Sequence, residues 1–434
     1  MIDTNALGYQ VPRIMMPARN VSLRKWAVVA CDQYSAQPDY WEEVARYVGN
    51  APSTLHLILP EAHLGERDLP DRIAGMRRTM RSYVDSGTVE PLRPGIVLTE
   101  RHAGGRVRKG LLMAMDLEAY DYDPASHPMI RPSERTVLER IPARVRIRRD
   151  AWLEVPHIML LIDDPTDQVV GGVHMERGSL RKLYDTELMM NGGRAQGWLV
   201  RDEEMLDDIA RGLSRLERHD NMLYCVGDGN HSLATAKTIW DEAKQEMTPE
   251  QRASSPLRYA LCEVVNLRDP GIQFEPIHRV FFGVNPVELA EYVTARLNQA
   301  GRQARLIYER AGRSRTSAPR VTDPFTIPFN YHDGVGRITI GNPEHPLALG
   351  ELQPIFDDYV AEHPGSSLDY IHGDQAYMEL CDRYDTMGFF FAPMPKEDFF
   401  DMVARCGVLP KKTFSIGEPD AKRYYLESRL LKEQ

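Results

Sequence analysis

A chain of 434 residues, 42% hydrophobic and 27% charged, has enough apolar material for a large buried core and for two or three subdomains. Its formal net charge of −10 argues against general nucleic-acid binding, although a local basic patch can still hold a phosphate. Its apolar runs are too short to span a bilayer, no signal peptide is expected, and the five scattered cysteines (Cys31, Cys225, Cys262, Cys381, Cys406) form no CxxC pair, which predicts reduced thiols in a cytoplasmic protein.

In chain order, residues 26–31 (WAVVAC) read as a buried strand ending at Asp32, and Pro38 opens a helix running to about residue 48. Asp32 therefore stands just past a strand end, where α/β folds bind ligands, although a turn or capping role fits it equally. Residues 55–59 form another apolar, strand-like run. Residues 68–86 have helical spacing, with Leu69, Ile73, Met76, Met80 and Tyr83 on one core-facing stripe. Residues 96–100 and 106–117 flank Ala103-Gly104-Gly105 and predict a hairpin.

Residues 130–136 (IRPSERT) gather Arg131, Ser133, Glu134, Arg135 and Thr136. They read either as a capped, charged helix start or as a phosphate-contacting cluster. Residues 140–149 form the densest basic run, a solvated face or a phosphate funnel. Residues 158–162 read as a buried strand closed by Asp163-Asp164-Pro165, a turn with a possible Mg2+ role. Residues 169–174 look like its partner strand, and Asp202 caps a helix that runs to about residue 218.

The stretch from Met222 to Trp240 (MLYCVGDGNHSLATAKTIW) organises the rest. An apolar strand runs to Val226, followed by a tight turn at Gly227-Asp228-Gly229-Asn230-His231. A helix then carries Leu233, Ala236, Ile239 and Trp240 on one face. Strand, glycine turn and helix N-terminus together make an anion-binding geometry, and Asp228 and His231 add an acid/base or metal-binding pair. An ordinary βα loop has the same outline, since the motif is neither a Walker loop nor GxGxxG.

Beyond it, residues 259–265 predict a strand, and residues 275–280 (EPIHRV) bring His278 and Arg279 after an extended segment. Residues 286–299 predict a helix, 304–309 a strand, 310–323 a polar loop, and 326–330 with 336–340 a hairpin. Residues 352–362, 374–384 and 396–406 look helical, 389–391 reads as a buried strand, and 411–416 (KKTFSI) as an extended segment bearing Lys411 and Lys412.

The segments WAVVACD, RPSERT, HIMLLIDDP, GDGNHSLATAK, EPIHRV and KKTFSIG resemble the bacterial and archaeal domain-of-unknown-function 1015 family, and the turn resembles the Asp-Gly-His-His-Arg turn of the ParB/sulfiredoxin-like superfamily. That resemblance implies a nucleotide-phosphate site, in a superfamily that includes free-serine kinases using ADP or ATP. Here Asn230 replaces the first His and Ser232 the Arg, which removes a bidentate phosphate clamp.

The expected fold is α/β (α+β), a mixed sheet around a ParB/sulfiredoxin-like nucleotide-binding core with added hairpins. It forms one family-wide unit with parts at residues 1–125, 126–285 and 286–434. The expected activity is phosphoryl transfer from ADP or ATP with Mg2+ to a small serine-like hydroxyl compound. Asp228, His231, Asp32 and Glu134 are the catalytic candidates. Gly227, Gly229, Asn230, Ser232, Arg131, His278, Arg279 and Lys412 are the nucleotide-binding candidates, with Arg279 or Arg131 replacing the missing clamp. A nucleotide sensor without turnover and a metal-dependent phosphohydrolase are the alternatives.

Overall fold

The computed structural model describes residues 3–309, 318–417 and 419–432. The expected loop at 310–323 lies mostly outside them. The fold is mixed α/β, and the chain divides into two compact units, Met1–Gln273 with Ile416–Gln434, and Phe274–Ser415. These divisions fall at other positions than the boundaries expected near residues 125 and 285.

The first unit is built on a nine-stranded mixed sheet among the described residues. Its middle is the hairpin Ile96–Ala103 and Arg106–Asp116, in which Gly104 and Gly105 take φ of 55° and 74°. Two successive positive-φ glycines make the two-residue turn whose twist matches the flanking strands. Next come Tyr259–Asn266, Met159–Ile162 and Tyr224–Asp228, with Ile130–Pro132 at the edge. Met159–Ile162 runs parallel to Tyr259–Asn266 and antiparallel to Tyr224–Asp228.

Successive side chains on these strands alternate between two cores. Leu98, Met113, Leu160 and Val226 pack with Leu233, Ala236 and Trp240 of the helix Asn230–Ala243. Val97, Leu112 and Leu261 face the other way, against Trp26, Val28, Met76, Met80 and Tyr425. The C-terminal segment belongs to this second layer. Tyr424–Tyr425 pairs with Val28–Val29, Arg429–Leu430 pairs with Leu153–Glu154, and the Trp26 indole donates to the Leu426 carbonyl at 3.0 Å.

Several helices match the sequence reading, among them Pro38–Val48, Leu69–Asp85, Glu203–Arg215 with Asp202 accepting from the Met205 amide, and Pro286–Gln299. Three expected strands do not. Residues 55–59 instead contain the 3-10 turn Thr54–Leu57, because Ser53 Oγ accepts from the Leu55 amide and Thr54 Oγ1 donates to the Trp26 carbonyl. Such local side-chain bonds compete with a ladder. Residues 169–174 lie largely in the helix Val170–Met175, whose start is held by Asp164 accepting from the Val169 amide and Asp167 from Gly171. Residues 26–31 contribute the end of the short helix Leu23–Trp26 and the two-residue strand Val28–Val29.

The second unit carries an antiparallel sheet. Its strands run Ala304–Glu309, Gly334–Ile340, Thr326–Tyr331, Thr386–Phe389, Phe274–Phe282 and Ser367–His372. Phe281, Phe329, Ile338 and Phe389 pack against Leu289 and Val293 of Pro286–Gln299 and against Phe356 of Ala348–Glu362.

His278 is fully buried there, stacked on Phe390 at 4.1 Å between ring centroids. Its Nδ1 accepts from the Phe391 amide, so Nε2 carries the hydrogen and faces Asp374 at 3.5 Å. Burial lowers its pKa to about 4, and the positive fields of Arg279 and His372 act in the same direction against Asp374. A histidine with a lowered folded-state pKa binds fewer protons than the unfolded chain between pH 6.5 and about 4. Its contribution to stability is therefore complete above pH 6.5 and lost as pH falls to about 4, on the order of 3 kcal/mol. Melting temperatures measured across that window should fall steeply for the wild type and flatten for His278→Gln.

Candidate active site

The strand Tyr224–Asp228 is buried up to Val226 and then breaks register with Met159–Ile162 between Val226 and Asp228. Such a bulge re-aims the next side chain. A Cβ at Gly227 would lie 2.9 Å from Leu161 Cγ, so only glycine fits the close approach. Gly229 follows with φ of 81°, and a Cβ there would lie 3.0 Å from Ile158 Cα. The glycine turn thus presses against the chain at His157 and Ile158. Asn230 and His231 open the helix Asn230–Ala243, in the first turn, whose N–H groups no preceding helical carbonyl can reach.

Asp228 sits at the tip. Its Oδ2 is 3.0 Å from Lys422 Nζ, and its Oδ1 accepts from the Gly229 amide at 2.9 Å. Burial opposes its charge, but the Lys422 ammonium, His157 and the Gly229 amide outweigh it and hold the carboxyl below its ordinary pKa. Beside it, Ser232 Oγ is 2.7 Å from His157 Nε2, and His157 Nδ1 is 2.9 Å from the Tyr425 hydroxyl, which accepts from the Cys31 amide at 3.0 Å. Serine, imidazole and phenol form one continuous hydrogen-bonded chain.

Two further bonds bring in residues 133–137. Asn230 Nδ2 donates to Ser133 Oγ at 3.4 Å, and the Val137 amide donates to His231 Nε2 at 3.2 Å. Asn230 Oδ1 is buried with no hydrogen-bond partner among the described residues. Five of the six segments singled out in the sequence therefore meet at this turn: the end of WAVVACD through Cys31, RPSERT through Ser133, HIMLLIDDP through His157, KKTFSIG through Ile416, whose Cδ1 would lie 3.0 Å from a Cβ at Gly227, and GDGNHS itself.

The remaining candidates have other surroundings. Asp32 is half-buried, accepts from Gln33 Nε2 at 3.0 Å, and follows Cys31 directly. Glu134 is half-buried. Arg131 is 2% exposed and donates to Asp220 Oδ2 at 3.0 Å and to the Pro128 carbonyl at 3.3 Å. Neither Ser133 nor Thr136 caps a helix, because the 3-10 turn Leu138–Arg140 starts from Val137 and the helix Ile141–Arg148 from Arg140, both without a side-chain cap. In the basic run, Arg144, Arg148 and Arg149 are paired with Glu61, Glu154 and Glu242. Asp163 and Asp164 serve the turn reading: Asp163 pairs with Arg268 at 2.6 Å, and Asp164 caps the segment that follows it.

Arg279 lies in the second unit, fully buried, and donates to the carbonyls of Ile277, Lys411 and Lys412 and to Gln353 Oε1 at 2.7 to 3.0 Å. Lys412 is exposed in a turn with φ of 57°, ahead of the short strand Phe414–Ile416, so residues 411 and 412 are not themselves in a strand. Cys225 is fully buried, and burial raises its thiol pKa well above the ordinary value.

Sequence reasoning missed Lys422, His157 and Tyr425 as site residues. His157 stands in one of the resembling segments and was legible as a candidate. Lys422 is 194 positions from Asp228, and nothing in its local sequence marks it beyond a basic pair before two tyrosines.

The sequence matches the family described as "Protein of unknown function (DUF1015)" over residues 15–327. No curated protein matches it. Similar solved structures include a conserved hypothetical protein from Pyrococcus furiosus, at 12% identity and TM-score 0.39, covering 74% of this chain and 95% of that one. A free serine kinase in complex with AMP aligns at 13% identity and TM-score 0.40, covering 72% and 90%. SbnI from Staphylococcus aureus aligns at 12% identity and TM-score 0.35, covering 73% and 85%.

Proposed function

This chain belongs to that family of proteins of unknown function, and we propose that it is a nucleotide-dependent phosphotransferase acting on a small hydroxyl compound at the turn 227–232. The observation that carries the reading is the Asp228–Lys422 pair at the start of the helix Asn230–Ala243. Phosphoryl transfer needs charge neutralisation and alignment more than covalent chemistry from the protein. Lys422 supplies a cation where the motif arginine is missing. The backbone N–H groups at Asn230 and His231 supply donors to phosphate oxygens.

Among the described residues, no group of three or more His, Cys, Asp or Glu side chains is arranged to hold a metal ion. Mg2+ arriving with a nucleotide needs only one or two carboxylates beside the phosphates, and Asp228 is the carboxylate at this turn. Asp32 and Glu134 are the carboxylates proposed as proton acceptors. His157, in contact with Ser232, joins them.

A thermal-shift panel of ADP, ATP, CTP, AMP and pyrophosphate, with and without Mg2+, tests the reading on wild type and Asp228→Asn. Ligands that bind the folded state raise the melting temperature by mass action. A nucleotide-dependent rise is expected in the wild type, with its Mg2+-dependent part lost in the variant. Silence toward every phosphate compound at millimolar concentration would overturn the reading. Binding without phosphorylated product would make the protein a sensor.

A further inference from the structure

A cavity of about 130 Å³ opens within the first unit, beside the same turn. Its walls are mostly aliphatic, including Leu57, Ile58, Leu64, Met76, Met80 and Ile147. One corner is polar: Ser232, His157 and Tyr425 line it, and these are the three members of the hydrogen-bonded chain described above. The acidic and basic side chains on its lining are Glu61, Arg144, Arg148 and Glu154, and each is already matched. Arg144 pairs with Glu61, and Arg148 with Glu154, which also takes Arg429 at 2.6 Å. The cavity therefore offers a ligand aliphatic walls and one hydrogen-bonding corner, and the carboxylates and guanidinium groups on its lining are already paired with one another.

We infer that this cavity seats the phosphoryl acceptor, and that the acceptor is an uncharged alcohol with an apolar body of about six heavy atoms. The size follows from the volume, since an apolar cavity of about 150 Å³ accommodates benzene. The charge follows from desolvation. An amino-acid zwitterion placed here would bring an ammonium and a carboxylate to a lining whose own charges are already paired, Glu61 with Arg144 and Glu154 with Arg148 and Arg429, so it would lose its water without gaining a partner. Free serine is thus a poor fit, although the family resemblance suggests it.

The inference rests on the phosphotransferase reading for the acceptor's role, but not for its binding. In the transfer, the alcohol oxygen bonds to the terminal phosphorus of the nucleoside triphosphate. The bond from that phosphorus to its bridging oxygen breaks, and the electron pair leaves with the nucleoside diphosphate. The alcohol proton passes to Ser232 Oγ as the Ser232 hydroxyl proton moves to His157 Nε2, 2.7 Å away.

The test uses the full chain and three probes: cyclohexanol, cyclohexylamine and L-serine. Leu64→Trp fills the cavity from a half-exposed position, and Ile147→Trp, also half-exposed, is the second variant should the first fail to fold. The expected result is a rise in melting temperature of about 1–4 °C at ten times Kd for cyclohexanol. The same rise should be absent for L-serine, smaller for the amine, and abolished in the folded cavity-filled variant. No shift with cyclohexanol, an equal shift in the filled variant, or a larger shift with L-serine would each overturn the inference. Nucleotide shifts read on the same plate keep the two ideas separate. Cyclohexanol binding without any nucleotide response sinks the phosphotransferase reading and leaves the cavity's ligand class standing. Nucleotide binding with serine phosphorylation does the reverse.

Discussion

Glu263→Gln is expected to lower the stability of the first unit by about 3–5 kcal/mol, the range for breaking a buried ion pair from one side. Glu263 is 1% exposed and lies between Arg423 at 3.0 Å and Arg108 at 3.4 Å, with Thr99 Oγ1 donating to it at 2.8 Å. Gly110 makes room for it, since a Cβ there would lie 2.6 Å from Glu263 Cγ. Burial works against the carboxylate, but Arg108, Arg423 and Thr99 bring its pKa down to about 2.

A carboxylate held below its unfolded pKa stabilises the fold above about pH 4.5, and that contribution disappears as pH falls toward 2. The span corresponds to about 3 kcal/mol, in agreement with the mutational range. The variant leaves Arg108 and Arg423 buried beside a neutral amide. Denaturant unfolding at pH 7 measures the loss. Acid titration should remove most of the difference between variant and wild type near pH 2. Glu187→Gln is the control, because its pair with Arg24 is exposed and its loss should cost under about 0.5 kcal/mol. A Glu263→Gln variant as stable as this control would refute the assignment.

Lys422→Met should weaken phosphate binding by about 10- to 100-fold, the worth of one charge-assisted hydrogen bond. The substitution keeps most of the side chain's length and apolar stem. It also removes the main influence that holds Asp228 ionised against burial, so the Asp228 pKa should rise. The defect in Mg2+-nucleotide binding should then be larger at pH 5 than at pH 8, because a raised carboxyl pKa is felt first on the acid side. Lys422→Arg should recover part of the affinity at both pH values. Titration calorimetry with ADP and Mg2+ at the two pH values measures this. Equal affinities for wild type and Lys422→Met would remove Lys422 from the site.

Features written within one short segment were legible in the sequence. The helices at Pro38–Val48 and Pro286–Gln299 announce themselves by proline at the first turn and an apolar stripe. The Gly104-Gly105 hairpin and the strand–glycine–helix passage at Asp228 depend on local backbone rules that leave a clear residue signature. The failures have a common cause. The expected strand at 55–59 lost to hydroxyl bonds from Ser53 and Thr54, and the one at 169–174 lost to caps from Asp164 and Asp167. In both places short polar side chains just upstream overrode an apolar run.

The site was half legible for a different reason. Its turn is local, but its cation and its phenol come from the far end of the chain. Arg279 drew attention because it sits in a motif, yet its donors are taken up by carbonyls and Gln353 within the second unit. A motif arginine that organises backbone has the same one-letter signature as one that clamps a ligand.

The first unit's last piece, Ile416–Gln434, is separated from the rest of that unit by the whole of Phe274–Ser415. During synthesis the ribosome makes Asp228, His157 and Ser232 early, then all of the second unit, and only afterwards Lys422, Arg423 and Tyr425. Domains tend to fold as units while the chain emerges, at about 5–20 residues per second. The second unit can therefore complete itself while the first still waits for its final segment. Throughout that interval Glu263 has no Arg423, Asp228 has no Lys422 and Val28–Val29 has no strand partner in Tyr424–Tyr425. A nascent chain stalled before residue 416 would hold a nearly finished sheet whose Glu263 has Arg108 alone and whose Asp228 lacks its lysine, which makes residues 416–434 a timing device for when the site comes into being.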